Sequence, residues 1–365
     1  MNSFTTRLAS SLFIICVCII GIYFLSEILV PLLLAFLLSI LLQPVVSFLQ
    51  SKFYFPHTIS VIITLLVALL IGSGIIMFIS SEIAGFSDDW PQIKTHLNTH
   101  FHNIQNWIYH NFRLSYSKQN RYLNDLSEQS LDTGKELMSN TLTQFSSVLL
   151  MMILIPIYTF LILLYRTLFL SFLSKLVSDE HHTILQEILV EIKTVVRSYI
   201  VGLLLEMLII ATVVSVSLMI IGVNYPVFIG VVTAMLNLIP YVGIFTSAFL
   251  TMAVALGNST ELGVLFTIAI LFTVVHLLDS NILLPKVVSS KVKINALISM
   301  LGIIIGGTLI GISGMFLALP VIAIVKVIFD RIPALQPWGY LLGDDIPHTP
   351  RKKREKNTPP PSTNS

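Results

Sequence analysis

Long apolar runs joined by short polar links dominate the chain. A membrane-crossing helix needs about 20 mostly apolar residues, because the hydrocarbon layer is about 30 Å thick and a helix rises about 1.5 Å per residue. The first run lies near Leu12–Leu25, after the basic Arg7. It lacks a small-x-small cleavage site, and a second run, Ile28–Leu49, follows at once, so the pair reads as a retained helical hairpin rather than a removed signal peptide. Glu27 falls in the turn between them. The third run is Ile59–Ile79. Later ones are Val148–Leu168, with Pro156 at its middle, Tyr199–Ile221, Val227–Leu256, Leu262–Leu284 and Leu297–Phe329.

Two polar regions interrupt this pattern. In Ser81–Phe145, Asp88-Asp89-Trp90-Pro91 predicts a helix start with proline at the first position. Ile93, Leu97, Phe101, Ile104 and Ile108 then recur at helical spacing, so the insert is an amphipathic helix that packs on something. Phe169–Arg197 is a second amphipathic stretch, with Leu173, Leu176, Ile184, Ile188 and Ile192 among Lys175, Glu187, Glu191 and Lys193. After Arg331 the chain is basic, then rich in Pro, Ser and Thr, which predicts disorder. The predicted domains are an N-terminal membrane segment (1–80), the insert (81–145), a second membrane-embedded core (146–330) and the tail (331–365).

Two late runs are too long and too interrupted for simple spans. Val227–Leu256 holds Asn237-Leu-Ile-Pro240-Tyr-Val-Gly243 near its centre, and Leu297–Phe329 holds Gly302, Gly306, Gly307, Gly311, Gly314 and Pro320. Each suits two half-membrane helices joined at a break, and irregular backbone at membrane depth is tolerated only inside protein or beside a wet cavity. Paired broken segments point to a transporter's substrate site, whereas glycines alone can simply let helices pack closely. Basic residues collect in cytoplasmic loops and weigh between these readings. If both runs are re-entrant and enter from opposite sides, Lys286, Lys291 and Lys293 join the N-terminus and tail on the inner side. Only Lys94, Arg113, Lys118, Arg121 and Lys135, all in the insert, are then left outside. The expected fold is therefore an all-α polytopic membrane protein with about six full spans and two broken or re-entrant segments forming an inverted repeat. Its N- and C-termini are expected to be cytoplasmic, and repeats of this kind support alternating access.

Composition agrees. The chain is 55% hydrophobic and 11% charged, where a soluble protein carries about 25% charged residues. A net charge of +2 does not advertise a nucleic-acid partner. Cys16 and Cys18 lie in an apolar run and form no disulfide framework.

Ionisable residues within apolar runs are functional candidates by default. Glu206 lies well inside Tyr199–Ile221, and Asp279 lies near the end of Leu262–Leu284, with His276 one turn earlier on the same face. A carboxylate there can bind a cation or carry a proton, with Asn281 and broken-helix carbonyls completing the coordination. The alternative is that Asp279 caps a helix end and pairs with Lys286 or Lys291, and that His276 is a structural hydrogen-bonder. Gly311-Ile312-Ser313-Gly314 matches an intramembrane serine-protease motif, but the only later histidine, His348, is in the tail. An aspartyl protease needs two intramembrane aspartates and only Asp279 is available, so no enzyme is expected. Gly134-Lys135 lacks the rest of a phosphate loop, which excludes a nucleotide motor and leaves an ion gradient or a partner as the energy source. His96 and His100, with His102 nearby, are read as helix surface rather than a zinc site. No cofactor is expected. The terminal Arg351–Lys356 cluster suits anionic lipid headgroups.

Three linked motifs now carry a resemblance. Asn237-Leu-Ile-Pro240-Tyr-Val-Gly243, Leu278-Asp279-Ser-Asn281-Ile-Leu-Leu-Pro285-Lys286 and Gly311-Ile-Ser-Gly314-Met-Phe-Leu-Ala-Leu-Pro320 look like signatures of the autoinducer-2 exporter family of bacterial permeases. The layout is similar along essentially the whole chain and the motifs within about residues 195–330. The sequence departs from that pattern at Ile244 and near Asn295-Ala296, where proline is common. The resemblance implies a secondary transporter of the bacterial inner membrane and leaves the substrate open, because family members are described as autoinducer-2 exporters, as sodium/proton antiporters or as permeases. Expected partners are lipid, a small-molecule or ion substrate and further copies of the chain, with no nucleotide. A non-transporting scaffold built around the insert is disfavoured by the midmembrane carboxylates.

Overall fold

The computed structural model describes residues 23–112, 150–238, 242–258, 263–288 and 294–344, with isolated positions between 13 and 21; most side chains from 86 to 104 lie outside the description. The described residues are helical throughout, and their only extended pairing is an isolated bridge between Ile294 and Gly343. In chain order the helices are α1 (Ser26–Phe53), α2 (His57–Phe112), α3 (Leu150–Leu164), α4 (Arg166–Leu176), α5 (His182–Ile221), α6 (Pro226–Leu236), α7 (Val242–Asn258), α8 (Gly263–Leu278), α9 (Ala296–Ile310), α10 (Ile312–Arg331) and α11 (Gln336–Leu342). Five stretches are long and apolar enough to cross a membrane: Ser26–Phe53, His57–Gly85, Asp179–Ile221, Gly263–Leu283 and Ile312–Arg331. A sixth is formed if α3 and α4, bent by 64° at Tyr165, count as one span. This is an all-α, multi-pass membrane protein. Of the predicted run 12–25, the described positions before Leu25 are helical, and Glu27 sits in the first turn of α1.

Helix boundaries differ from the sequence pattern in three places. No new helix begins at Asp88–Pro91: α2 runs unbroken for 56 residues from the membrane run into the insert. A proline inside a helix removes one backbone donor and costs roughly 3 kcal/mol, which long helical stretches on both sides can absorb. The predicted connector Phe169–Arg197 is divided instead, between α4 and α5. Its second part is continuous with the next span in a single 40-residue helix, α5. The dividing turn at Val177–Ser178 is extended, and the His182 ring nitrogen Nε2 closes it against the carbonyls of Ser174 (2.8 Å) and Val177 (3.1 Å). Gly222, at φ 82°, ends α5 with its N–H on the Leu218 carbonyl. Third, the start of the supposedly disordered tail is folded: α11 packs against α10, and Asn295 N–H donates to the Leu342 carbonyl at 2.9 Å.

Both predicted breaks are present. Val227–Leu256 divides into α6 (11 residues) and α7 (17 residues), and Leu297–Phe329 divides into α9 (15 residues) and α10 (20 residues). The second pair is uneven, because α10 alone is long enough to span. Its turn is Gly311, at φ 69°, a conformation that glycine adopts without steric cost. The largest buried cluster surrounds the first pair: Ile210, Val214 and Leu218 of α5 meet Ile229 and Ala234 of α6, Ile244 and Val254 of α7, and Ile268, Phe272 and Val275 of α8. The Tyr225 hydroxyl, just before α6, donates to the Gly85 carbonyl of α2 at 3.1 Å.

Candidate functional site: two carboxylates on one amide

Helical spacing brings Glu206 inward. Gly202, Leu203, Glu206, Ile210 and Val214 are all buried and recur at three- and four-residue intervals, so the carboxylate belongs to the stripe that α5 turns to the core. Asp279 continues the buried series Ile268, Phe272 and Val275 of α8 in the same way. At Asp279 the α-helix widens into a π-helical stretch, Asp279–Val288. Such widening is rare and recurs at functional sites. Asn237 is the residue on which α6 ends, so it stands at the mouth of the first break.

These three side chains meet. Asn237 Nδ2 donates to Glu206 Oε1 at 2.8 Å and lies 3.4 Å from Asp279 Oδ2. Asn237 thus stands between the two carboxyl groups. All three residues are buried: Glu206 is 4% exposed, Asn237 7% and Asp279 8%. Each carboxyl group keeps one buried oxygen, Glu206 Oε2 and Asp279 Oδ1, with no hydrogen-bond partner among the described residues. One amide has two N–H donors, while two carboxylates offer about eight acceptor sites between them. The neutral amide therefore leaves a deficit of donors and of positive charge. A proton or a small cation between the carboxylates supplies both, and without one the burial of two like charges is costly.

The other predicted residues fall around this centre. His276 is half-buried, with its ring centroid 5.7 Å from that of Phe245 on α7. Asn281 is exposed and donates to the Leu277 carbonyl at 2.9 Å, so its amide serves its own helix rather than the carboxylates. Pro240 lies outside the described residues. Gly243 is where the chain turns back on itself: a Cβ there would stand 2.2 Å from the Leu236 carbonyl oxygen. Gly306 and Gly314 face each other across the second turn, and a Cβ on either would fall within 2.4 Å of the other's carbonyl oxygen. A Cβ on Gly307 would meet only the flexible end of Met315, 2.5 Å away. Gly311 forms the turn itself. The glycines of the second pair thus have close helix packing as their visible role. The side chains of His96 and His100 lie outside the described residues, as does Lys291.

Sequence reasoning singled out the two carboxylates one by one and missed that they form a pair. It also missed Thr233, Ser247 and Thr251, hydroxyls with no exposure on the two arms of the first hairpin. Thr233 and Thr251 donate to carbonyls four residues back, at 2.7 Å each, while Ser247 Oγ has no hydrogen-bond partner among the described residues. Beside the carboxylates, α5 and the α8 region enclose an apolar crevice of about 190 Å³, lined by side chains that include Ile210, Val213, Val275 and Ile282.

A multi-pass helical membrane protein with broken helices and a buried carboxylate pair belongs to the class of membrane transporters. The comparisons narrow this: residues 12–334 match the family model described as AI-2E family transporter, and the chain belongs to that family. Its relatives include YueF of Bacillus subtilis, provisionally named a transport protein, 27% identical over 86% of each chain. YhhT of Escherichia coli, named in the same way, is 23% identical over 90% of this chain and 91% of its own. PerM of Escherichia coli, provisionally named a permease, is 25% identical over 39% of this chain and 40% of its own.

Proposed function

We propose that the protein is an ion-coupled secondary transporter of the bacterial inner membrane, working by alternating access around its two broken helical pairs. In this reading Glu206 and Asp279 carry the coupling ion. The observation behind it is the buried carboxylate pair joined by Asn237 at the end of a broken helix. A group that takes up and releases a cation at membrane depth needs such a pair, and a broken helix can expose it to either side in turn. The first solute to test is autoinducer-2 or a similar small polar molecule, after the family's name. Sodium/proton antiport is the second reading, and the carboxylate pair favours it because two such groups can exchange a proton for a metal cation. The placement of Ile294 and Asn295 against Gly343 and Leu342 supports a second pair that enters and leaves from the side of the tail, with residues 286–293 on that side.

The test is flux in proteoliposomes with autoinducer-2, Na⁺ and H⁺ gradients imposed in turn. Gradient-dependent movement of at least one of them is expected, and its loss in Glu206→Gln and Asp279→Asn. Equal flux with and without each gradient would overturn the proposal.

A further inference from the structure

Asn237 touches two helices that the first hairpin must grip. It ends α6, while its amide reaches Glu206 on α5 and Asp279 after α8. We propose that Asn237 makes docking of the Pro226–Asn258 hairpin onto α5 and α8 conditional on one monovalent positive charge at the Glu206–Asp279 pair. Asn237 is thus a positioning residue. The inference rests on the reading that this pair carries the ion.

The argument is one of charge and donor supply. With the hairpin docked, water is shut out, and the pair has a neutral amide as its partner from the hairpin. No charged group on the hairpin can compensate, because the sequence from Pro226 to Asn258 contains no Asp, Glu, Lys, Arg or His. The titratable groups facing the pair are Tyr199, two turns before Glu206 on α5, and His276, one turn before Asp279. Helix α2, which packs on α7, has only His57 and Glu82 as titratable residues in its apolar part, one near each end. Two ionised carboxylates behind the docked hairpin would repel each other in a poorly polarisable site. One proton, or one small monovalent metal ion, bound at the pair halves the charge. Both N–H donors of Asn237 then hold the hairpin against the singly charged pair. Without that charge, opening the hairpin lets water solvate both carboxylates. Cation binding and hairpin docking are therefore linked, and each favours the other by the same factor.

The sign follows directly. Acid, or a bound cation at high pH, favours docking, and alkali without such a cation favours opening. The reporter is Ser247→Cys, a small change at a site with no exposure on α7, in the full chain with Cys16 and Cys18 replaced by serine. The rate of modification by N-ethylmaleimide in proteoliposomes is divided by that of Asp179→Cys, fully exposed in the polar turn before α5, to cancel the thiol's own pH dependence. One arm replaces choline chloride by NaCl at fixed alkaline pH, and the other lowers the pH in choline. When the closing charge reaches about ten times its dissociation constant, the open fraction should fall about tenfold. A response to acid alone identifies the charge as a proton, and a response to both arms shows Na⁺ competing for the same pair. Glu206→Gln, neutral at every pH, should keep the reporter slow in all conditions. Asn237→Ala should raise the open fraction in every condition and weaken the dependence on both arms. An unchanged normalised rate in both arms overturns the proposal, as does full ion dependence in Asn237→Ala. Because the readout is protection and not flux, ion-dependent docking without transport would refute the proposed function and leave this inference standing.

Discussion

The two broken helical pairs look alike in sequence and differ in build. The first lies in the main core, ends its short arm on Asn237 and meets two carboxylates there. In the second, Gly306 and Gly314 bring the arms into backbone contact, α9 has no buried residue, and α10 rests on apolar residues of α1 and α5. A break beside polar groups needs them satisfied and creates chemistry, while a break lined by glycine creates close packing. The same interruption of an apolar run therefore has two physical meanings, and only the neighbours of the break tell them apart.

The largest expected effect tests the polar side of that contrast. Asp279→Asn keeps the shape of the side chain but removes its charge, and it should reduce gradient-driven flux to background while the protein still inserts in the membrane. Undiminished flux would return Asp279 to a capping role. Next come the glycines. Gly243→Ala and Gly306→Ala each force a Cβ against a backbone carbonyl, and overpacking of that kind costs about 1–3 kcal/mol. Both should lower the thermal stability of the purified protein, with Gly243→Ala also lowering flux per folded molecule. Gly307→Ala should be milder than either, because Met315 can move aside, and Gly74→Leu should change little, because no atom lies within 4 Å of a Cβ there. A Gly306→Ala protein with normal stability would remove the packing explanation for the second pair. The smallest effect is expected at Arg331, which ends α10 and pairs with Glu187 and Glu191 near the start of α5. These groups are solvent-exposed, and pairs of that kind contribute little, so Arg331→Gln should shift the melting temperature only slightly, and less at high salt.

Much of this was legible in the sequence. Runs of apolar residues located the membrane helices, and Asn237–Gly243 and the Gly311 region marked both breaks, since proline and glycine interrupt helices for local reasons. Glu206 and Asp279 stood out because a charge in an apolar run is expensive. Their meeting was not legible: Asn237 is separated from them by 31 and 42 residues, and periodicity along one helix carries no information about its angle to another. A donor count was the available clue, since two buried carboxylates call for a partner and Asn237 is the polar residue at the break. Asn281 misled because proximity in sequence to Asp279 placed it on the same helix but not on the same face. The start predicted at Asp88–Pro91 failed because the same residues that can begin a helix can also be carried within a long one.

The unbroken α2 has a mechanical consequence. From Phe86 to Phe112 it adds about 40 Å of helix at 1.5 Å per residue. Its base is tied through the Gly85 carbonyl to Tyr225, the residue on which the first hairpin hangs. That point divides the helix almost equally, with 29 residues from His57 to Gly85 before it and the outer arm after it. Small rotations of the hairpin's root become large sweeps at the distant tip, so a label placed near Asn111 would magnify motions too slight to measure beside the carboxylates.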